Sequence, residues 1–273
     1  MGLKINAYAD KDPGKVYEIN EDSVFAYVRP ENLGKALGLL IVADGIGGHL
    51  AGEVASKIVT ETIYETLKPF LETDSSDGTQ PITEDTESQS DPNSNPYLEG
   101  KLQMAVEAAN TAVFNYAKQH PQDAGNLGST LTCVLIEGSQ AVIANVGDSR
   151  TYHLRKAKLA RVTKDHSYVE TLIEKGMVGE DAYYTHPHRS VITRALGNEE
   201  EVEIDFFVKK LKAGDRFLLC SDGCWEYIAN EEKIKDILKD TKDLKDTVKL
   251  LIEAANNGGG GDNIGVVVAE IEK

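Results

Sequence analysis

The chain has few cysteines, few cations and no long apolar run. Only three of its 273 residues are cysteine, and Cys133 and Cys220 lie in apolar stretches where a thiol acts as a small core residue. Three cysteines do not suggest a disulfide framework, and Cys220 and Cys224 lack the spacing and partners of a zinc site. No apolar segment approaches membrane-spanning length, and the first residues show no apolar signal region. We therefore expect a soluble, cytoplasmic protein.

Positive charge is scarce as well. The chain has 29 lysine and arginine residues against 45 aspartate and glutamate residues, which gives a formal net charge of −16. A balance this acidic repels nucleic acid and anionic membranes and argues against either as a main partner. The same carboxylates are the ligands that hard divalent cations prefer.

Residues 72–96 differ in composition from the rest of the chain. They contain seven acidic residues, many polar residues and no lysine or arginine. Such a segment buries too little apolar surface to offset its ordering entropy, so we expect an acidic, mobile insertion. The composition leaves open whether it is regulatory or merely tolerated.

Hydrophobic periodicity predicts blocks of strands separated by long helices. Residues 37–43 form the continuous apolar run of a buried strand, and helical spacing predicts a helix at 50–70 and another after Pro96. Further strands are predicted at about 2–10, 22–29, 130–136, 141–146, 150–155, 158–163, 202–209, 215–220 and 264–271, and further helices at about 230–239 and 243–256. Because the helices separate groups of strands and not single strands, the pattern favours an α+β fold with antiparallel sheets.

Aspartates beside glycine recur at the ends of these strands. Asp44, Asp148 and Asp222 follow apolar runs, Asp262 precedes the last strand, and Asp22 begins an early one. A single Asp-Gly pair is equally a turn signal. Several carboxylates that converge on one point, however, repel one another unless a cation lies between them. The residues alone therefore indicate a candidate oxygen-ligated Mg²⁺ or Mn²⁺ site and leave the substrate open.

Short motifs occur in order along nearly the whole chain. They are Asn20-Glu21-Asp22, Val42-Ala43-Asp44-Gly45-Ile46-Gly47-Gly48-His49, Gly128-Ser129-Thr130, Gly147-Asp148-Ser149-Arg150, Asp165-His166-Ser167, the run from Thr185 to Gly197, Ser221-Asp222-Gly223-Cys224-Trp225-Glu226 and Gly260-Gly261-Asp262-Asn263-Ile264. Together they resemble the metal-dependent protein phosphatases, the type 2C serine/threonine phosphatases, in their bacterial form.

The resemblance implies a fold and a metal site. The fold is a single domain over residues 1–273, an α-β-β-α sandwich of two central antiparallel sheets flanked by helices, with a flap at 167–193. The site holds two Mn²⁺ or Mg²⁺ ions, and bacterial members have a weaker third site. The implied ligands are Asp44 to both ions, the Gly45 carbonyl to one, Asp222 and Asp262 to the other, Asp22 and Glu21 through water, and Asp148 with Asp222 at the third site.

The resemblance also implies a reaction. A metal-bridging hydroxide attacks phosphoserine or phosphothreonine in line, with no covalent enzyme intermediate. Ile46 stands where many eukaryotic members have a general-acid histidine. His186, in the flap, is the candidate for a substrate or proton-transfer role, while we expect His49 and His166 to support the structure. The implied partners are phosphoprotein substrates and a bacterial-type serine/threonine kinase.

One departure from the family pattern concerns phosphate binding. Tyr17 stands where the family has an arginine that contacts the substrate phosphate, and tyrosine offers no charged bidentate fork. Lys15 would share the face of Tyr17 if this segment were a strand. Gly265 is a second departure, since many members have threonine or serine there. The alternative hypothesis is therefore a weak or inactive metal-binding homologue that binds phosphoproteins or a kinase.

Overall fold

The computed structural model describes residues 2–30, 35–47, 51–73, 94–121 and 127–273. Its strands are β1 (Lys4–Asp12), β2 (Ser23–Val28), β3 (Leu37–Ala43), β4 (Gly45–Ile46), β5 (Gly128–Ser129), β6 (Leu131–Glu137), β7 (Gln140–Val146), β8 (Arg150–Arg155), β9 (Lys158–Arg161), β10 (Asp205–Lys210), β11 (Arg216–Cys220) and β12 (Ile264–Glu272). Its helices are α1 (Ala51–Glu72), α2 (Pro96–Gln119), α3 (Tyr168–Glu174), α4 (Ala182–Thr185), α5 (Asp222–Ile228), α6 (Glu231–Asp240) and α7 (Leu244–Asn257).

Two five-stranded sheets form the centre of the fold. One has the strand order β1-β12-β11-β8-β9, the other has the order β10-β7-β6-β3-β2, and every pairing in them is antiparallel. Helices α1 and α2 pack together on the second sheet, and α5 to α7 cover the first. The predicted α-β-β-α sandwich is therefore confirmed.

Burial on both faces explains the continuous apolar run of β3. Leu37, Leu39 and Ile41 belong to the core beneath α1 and α2, whereas Leu40 and Val42 belong to the core between the two sheets. Strand side chains alternate between faces, so a strand in a central layer needs apolar residues at every position. The position of β3 in the middle of the sandwich thus follows from its sequence.

The predicted elements match the structure except at particular places. The first strand begins at Lys4, the strand predicted at 202–209 begins at Asp205, and α5 and the β4-β5 pair were not predicted. Residues 13–19 form turns and bends, so the proposal that Lys15 shares a strand face with Tyr17 is wrong. Most of the predicted insertion at 72–96 lies outside the described residues, as does His49.

Two further expectations concern the cysteines and membrane-spanning segments. Cys133 and Cys220 are buried free thiols, as expected of core residues, and Cys224 is a buried free thiol as well. Within the described ranges, no helix combines the length and the apolar character that crossing a bilayer requires.

Candidate functional site

A cavity of about 610 Å³ opens at the end of the sandwich where several strands terminate. Its walls bring together most of the acidic residues that the sequence singled out, namely Glu21, Asp44, Asp148, Asp222 and Asp262. Residues more than 200 positions apart thus meet at one point. Asp22, in contrast, is fully buried and does not line the cavity.

The strand ends deliver these carboxylates to the cavity. Asp44 directly follows β3, and Asp148 lies in the turn between β7 and β8. Asp222 lies two residues after the end of β11 and begins α5, and Asp262 lies two residues before β12. Because each strand is fixed in a sheet, the direction of its last residues is fixed as well. The site is therefore held by both sheets and does not depend on a single loop.

Two glycines allow the aspartate-bearing segments to approach each other. A Cβ atom on Gly45 would overlap the carbonyl oxygen of Gly52 at the start of α1, and one on Gly223 would overlap the carbonyl oxygen of Asn263. Only glycine permits such close backbone contact. The glycine beside Asp44 and the one beside Asp222 are thus required by packing.

Hydrogen bonds hold the same segments in register. The backbone N–H of Asp44 donates to Thr130 Oγ1 at 3.0 Å, and the N–H of Thr130 donates to the carbonyl of Asp44 at 2.8 Å. The side chain of Asn263 accepts from the N–H of Glu21 at 2.7 Å and donates to the carbonyls of Pro13 and Ile19. These contacts tie the 13–21 segment to the aspartates before β12 and after β3.

The carboxyl groups strongly perturb one another. Burial raises the pKa of Asp44 and of Asp222 well above the usual carboxyl range, and neighbouring carboxylates raise both further. Burial likewise raises the pKa of Asp22 and of Asp148 to about 7, and it raises the pKa of Asp262. Such a group of acids cannot ionise fully near neutral pH without a compensating positive charge.

The donor atoms fit a hard cation. Within the described residues, Asp22 Oδ1 and Asp222 Oδ1 are buried and have no hydrogen-bond partner, an arrangement that is costly unless a ligand satisfies them. No group of three or more His, Cys, Asp or Glu side chains in the described part is already spaced to hold a metal ion, so the carboxylates line an open cavity and not a closed cage. An all-oxygen donor set of this kind suits Mg²⁺ or Mn²⁺.

The cavity offers little to hold a phosphate dianion directly. Tyr17 lines it and is half exposed, whereas Lys15 is not among its described lining residues. No described lining residue is a lysine or an arginine. The negative charge of Asp262, together with burial, raises the pKa of Tyr17, so its phenol stays protonated and can donate one hydrogen bond.

Two residues of the predicted flap, Ser190 and Ile192, line the cavity. Neither residue was assigned a role from the sequence. His186 lies elsewhere in this segment, beside Tyr168 and His188, and does not line the cavity. Whether residues 167–193 move remains a prediction.

His166 supports the Asp148 turn. Its ring Nδ1 accepts a hydrogen bond from the backbone N–H of Gly147 at 3.0 Å, and the backbone N–H of His166 donates to the carbonyl of Gly147 at 2.9 Å. Burial lowers the pKa of His166, which favours the neutral ring that this contact needs. These contacts suit the structural role expected of it.

Sequence reasoning assigned no role to Thr130, Ser221 or Asn263, although it quoted the motifs that contain them. Their contacts join segments far apart in the chain, and no local periodicity reports such contacts. The available signal was position alone, since Ser221 and Asn263 are the immediate neighbours of Asp222 and Asp262.

Comparison with known proteins gives concordant results. A family model described as protein phosphatase 2C matches residues 18–254. The serine/threonine protein phosphatase PstP of Mycobacterium tuberculosis is 36% identical over 269 residues, which cover 98% of this chain and 45% of PstP. The chain thus spans less than half the length of that relative.

Two further similarities extend over nearly the whole of both proteins. The serine/threonine phosphatase stp of Listeria welshimeri is 34% identical over 259 residues, or 95% of this chain and 93% of stp. The crystal structure of the PstP catalytic domain in complex with two manganese ions matches with a TM-score of 0.78 and 34% identity, covering 99% of this chain and 100% of that one.

Proposed function

Because the chain belongs to the protein phosphatase 2C family, we propose that it is a metal-dependent protein serine/threonine phosphatase. The observation that carries this proposal is the convergence of Asp44, Asp148, Asp222 and Asp262 on one cavity. Buried carboxylates with raised pKa values and unpartnered oxygens favour the binding of divalent cations.

The proposed cofactors are two Mn²⁺ or Mg²⁺ ions, with a third, weaker site. The proposed ligands are Asp44 for both ions, the Gly45 carbonyl for one, Asp222 and Asp262 for the other, Glu21 and Asp22 through water, and Asp148 with Asp222 for the third. When bound, such ions supply Lewis acidity and activate water for attack on phosphorus.

Other residues of the chain position the acidic side chains and the segment that faces the substrate phosphate. Thr130 fixes the backbone of Asp44, Ser221 orients Asp22, and Asn263 holds the segment that carries Tyr17 and Glu21. The acidic cavity walls repel a phosphate dianion until cations neutralise them. The hydroxyl of Tyr17 then offers one neutral hydrogen bond to a phosphate oxygen, in place of a cationic fork.

The wider role is part of the same proposal. We place the substrates among phosphoserine and phosphothreonine proteins of a cytoplasmic signalling pathway that includes a bacterial-type kinase. Buried free thiols at Cys133, Cys220 and Cys224 are compatible with a reducing compartment. We assign residues 1–273 to one domain and residues 167–193 to a mobile flap, whose Ser190 and Ile192 reach the cavity.

Hydrolysis of p-nitrophenyl phosphate and of a phosphothreonine peptide tests the proposal. We expect turnover with Mn²⁺, none with EDTA, and none by Asp222→Asn with either additive. Lys249→Ala, a change at an exposed position of α7 that does not line the cavity, is a control that should keep full activity. Mn²⁺ binding without any turnover would contradict the proposal.

One observation favours the alternative function. With Tyr17 in the arginine position and no cationic side chain among the described lining residues, phosphate binding depends on bound metal and on one neutral hydrogen bond from Tyr17. A metal-loaded module that binds phosphoproteins without hydrolysing them would keep its affinity for a phosphopeptide and show no turnover. The assay above, combined with a measurement of peptide binding, separates the two functions.

A further inference from the structure

A second cavity, of about 560 Å³, adjoins the acidic one. The two share a pair of lining residues, Ile46 and Ile192. Beyond this pair the second cavity runs along the end of α2, past Phe114 and Lys118. Because the two cavities have walls in common, they form two arms of one groove, which we term the acidic arm and the Phe114 arm.

Three apolar side chains of the Phe114 arm belong to no hydrophobic core of the described structure, unlike Leu127 and Ala117, which also line it. Ile46, Phe114 and Ile192 are each only partly buried, and among the described residues none of them packs against the three hydrophobic cores. Adjacent, partly exposed apolar residues that border a reaction site are typical of a surface that binds a ligand.

The backbone beneath this arm is fixed. The side chain of Asn110 accepts from the N–H of Gly197 at 2.8 Å and donates to the carbonyls of Glu199 and Glu200. Leu196 exchanges two backbone hydrogen bonds with Ser129, at 2.8 and 3.1 Å. A groove held in this way loses little conformational freedom when it binds a ligand.

The two arms differ in charge. Carboxylates dominate the acidic arm, whereas Lys118 is the one ionisable side chain among the described residues that line the Phe114 arm. The ammonium group of Lys118 lies 4.1 Å from the ring centroid of Phe114, so the charge sits directly beside the apolar surface. The arm thus presents an apolar surface with a cation next to it.

From this arrangement we propose that the Phe114 arm is a specificity subsite for the polypeptide next to the phosphorylated residue. It takes a large apolar side chain against Phe114, Ile46 and Ile192, followed by an acidic side chain near Lys118. The inference rests on the proposed phosphatase function, because the phosphorylated residue itself lies in the acidic arm.

The test compares four phosphothreonine peptides with p-nitrophenyl phosphate. One peptide carries leucine and glutamate on the N-terminal side of the phosphothreonine, and a second carries them on its C-terminal side. Each has a matched peptide in which glycine replaces the leucine. For the better leucine peptide we expect kcat/KM about tenfold above its glycine partner, as burial of one large apolar side chain provides. Equal values for leucine and glycine on both sides would overturn the proposal.

Single substitutions test whether Phe114 and Lys118 cause the peptide preference. Phe114→Ala should abolish the leucine preference and leave p-nitrophenyl phosphate hydrolysis unchanged. When lysine replaces the glutamate of the better leucine peptide, the wild type should favour the glutamate peptide and Lys118→Glu should favour the lysine peptide. Met104→Ala, an exposed change on the same helix, is the control and should alter neither. A leucine preference that survives Phe114→Ala in a folded protein would overturn the proposal.

A binding measurement keeps this inference separate from the proposed function. Fluorescein-labelled versions of the same peptides, with a non-hydrolysable phosphonate in place of the phosphate, are titrated with the Mn²⁺-loaded protein and followed by anisotropy. The leucine peptide should bind about tenfold more tightly than the glycine peptide whether or not the protein shows turnover. Equal affinities contradict the subsite, whereas tight binding without turnover contradicts only the phosphatase function.

Discussion

The hydroxyl of Ser221 donates a hydrogen bond to Oδ2 of Asp22 at 2.7 Å, across 199 residues of sequence. Ser221 Oγ in turn accepts from the N–H of Gly265 at 2.8 Å. One carboxylate oxygen of Asp22 is thus fixed by the protein, while the other, Oδ1, is buried without a hydrogen-bond partner in the described structure. Ser221 therefore orients the carboxylate of Asp22 through one of its two oxygens.

Ser221→Ala should weaken Mn²⁺ binding and leave the fold intact. The hydrogen bond from Ser221 lowers the pKa of Asp22 against the larger effect of burial, so its loss makes the carboxylate harder to ionise. Loss of a group that orients a ligand typically costs 10- to 100-fold in metal affinity, and we expect about tenfold in a calorimetric Mn²⁺ titration. Ser221→Thr, which keeps the hydroxyl, should retain most of the affinity. Equal affinity for wild type and Ser221→Ala would show that Asp22 does not contribute to metal binding.

Asp44→Asn should abolish tight Mn²⁺ binding and hydrolysis while stabilising the metal-free protein. Asp44 is buried among other carboxylates, so at pH 7.5 folding must either take up a proton there or bury a charge, and an amide of the same shape avoids both costs. Asp222→Asn should behave in the same way. Thermal unfolding in EDTA at pH 7.5 should give a Tm several degrees above wild type for both variants. Full activity in either variant would contradict the site assignment.

The stability of the metal-free protein should fall as the pH rises. Burial raises the pKa of Asp22 and of Asp148 from 3.8 to about 7, so between these values the folded chain retains protons that the unfolded chain has lost. The contribution of these groups to stability is therefore present near pH 4 and is lost as the pH rises through about 7. We expect Tm in EDTA to decrease from pH 5.5 to pH 8, and the decrease to be smaller in Asp148→Asn. A Tm that rises over this range would contradict the raised pKa values.

Tyr17→Arg should lower KM for a phosphothreonine peptide by about tenfold. Arginine offers a charged bidentate fork to the phosphate, whereas the protonated phenol of Tyr17 offers one neutral donor. Tyr17→Phe removes only the hydroxyl and should raise KM slightly. Steady-state kinetics with Mn²⁺ at constant ionic strength measure both effects. An unchanged KM in Tyr17→Arg would mean that position 17 does not face the phosphate.

Much of the fold follows from the sequence because burial leaves a periodic pattern. The run at 37–43 predicts β3 because that strand is covered on both faces, and the amphipathic stretch after Asn230 predicts α6. The sequence did not predict helix α5 because the helix has only seven residues and begins at Asp222, directly after the apolar run that predicts a strand. Such a short helix depends on tertiary packing, here that of Cys224 and Trp225 on the first sheet, and not on its own periodicity.

The candidate site was predictable in its acidic residues and not in its supporting contacts. Aspartates at strand ends could be picked out one by one, since each strand end is a local feature. The Asn263 contacts to Pro13 and Ile19 span about 250 residues and join the turn at 13–19 to the segment before β12. The local sequence pattern could not show such contacts, so it could not show that Lys15 and Tyr17 do not lie on a strand. The groove that joins Ile46 to Phe114 likewise exists only in the folded chain.

A crystal structure of the protein soaked with Mn²⁺ tests the central claim most directly. Anomalous difference density should show at least two ions in the acidic cavity, with Asp44 in contact with both and with Asp222 and Asp262 on one of them. An absence of ions from this cavity at saturating Mn²⁺, or ions bound only elsewhere, would contradict the account.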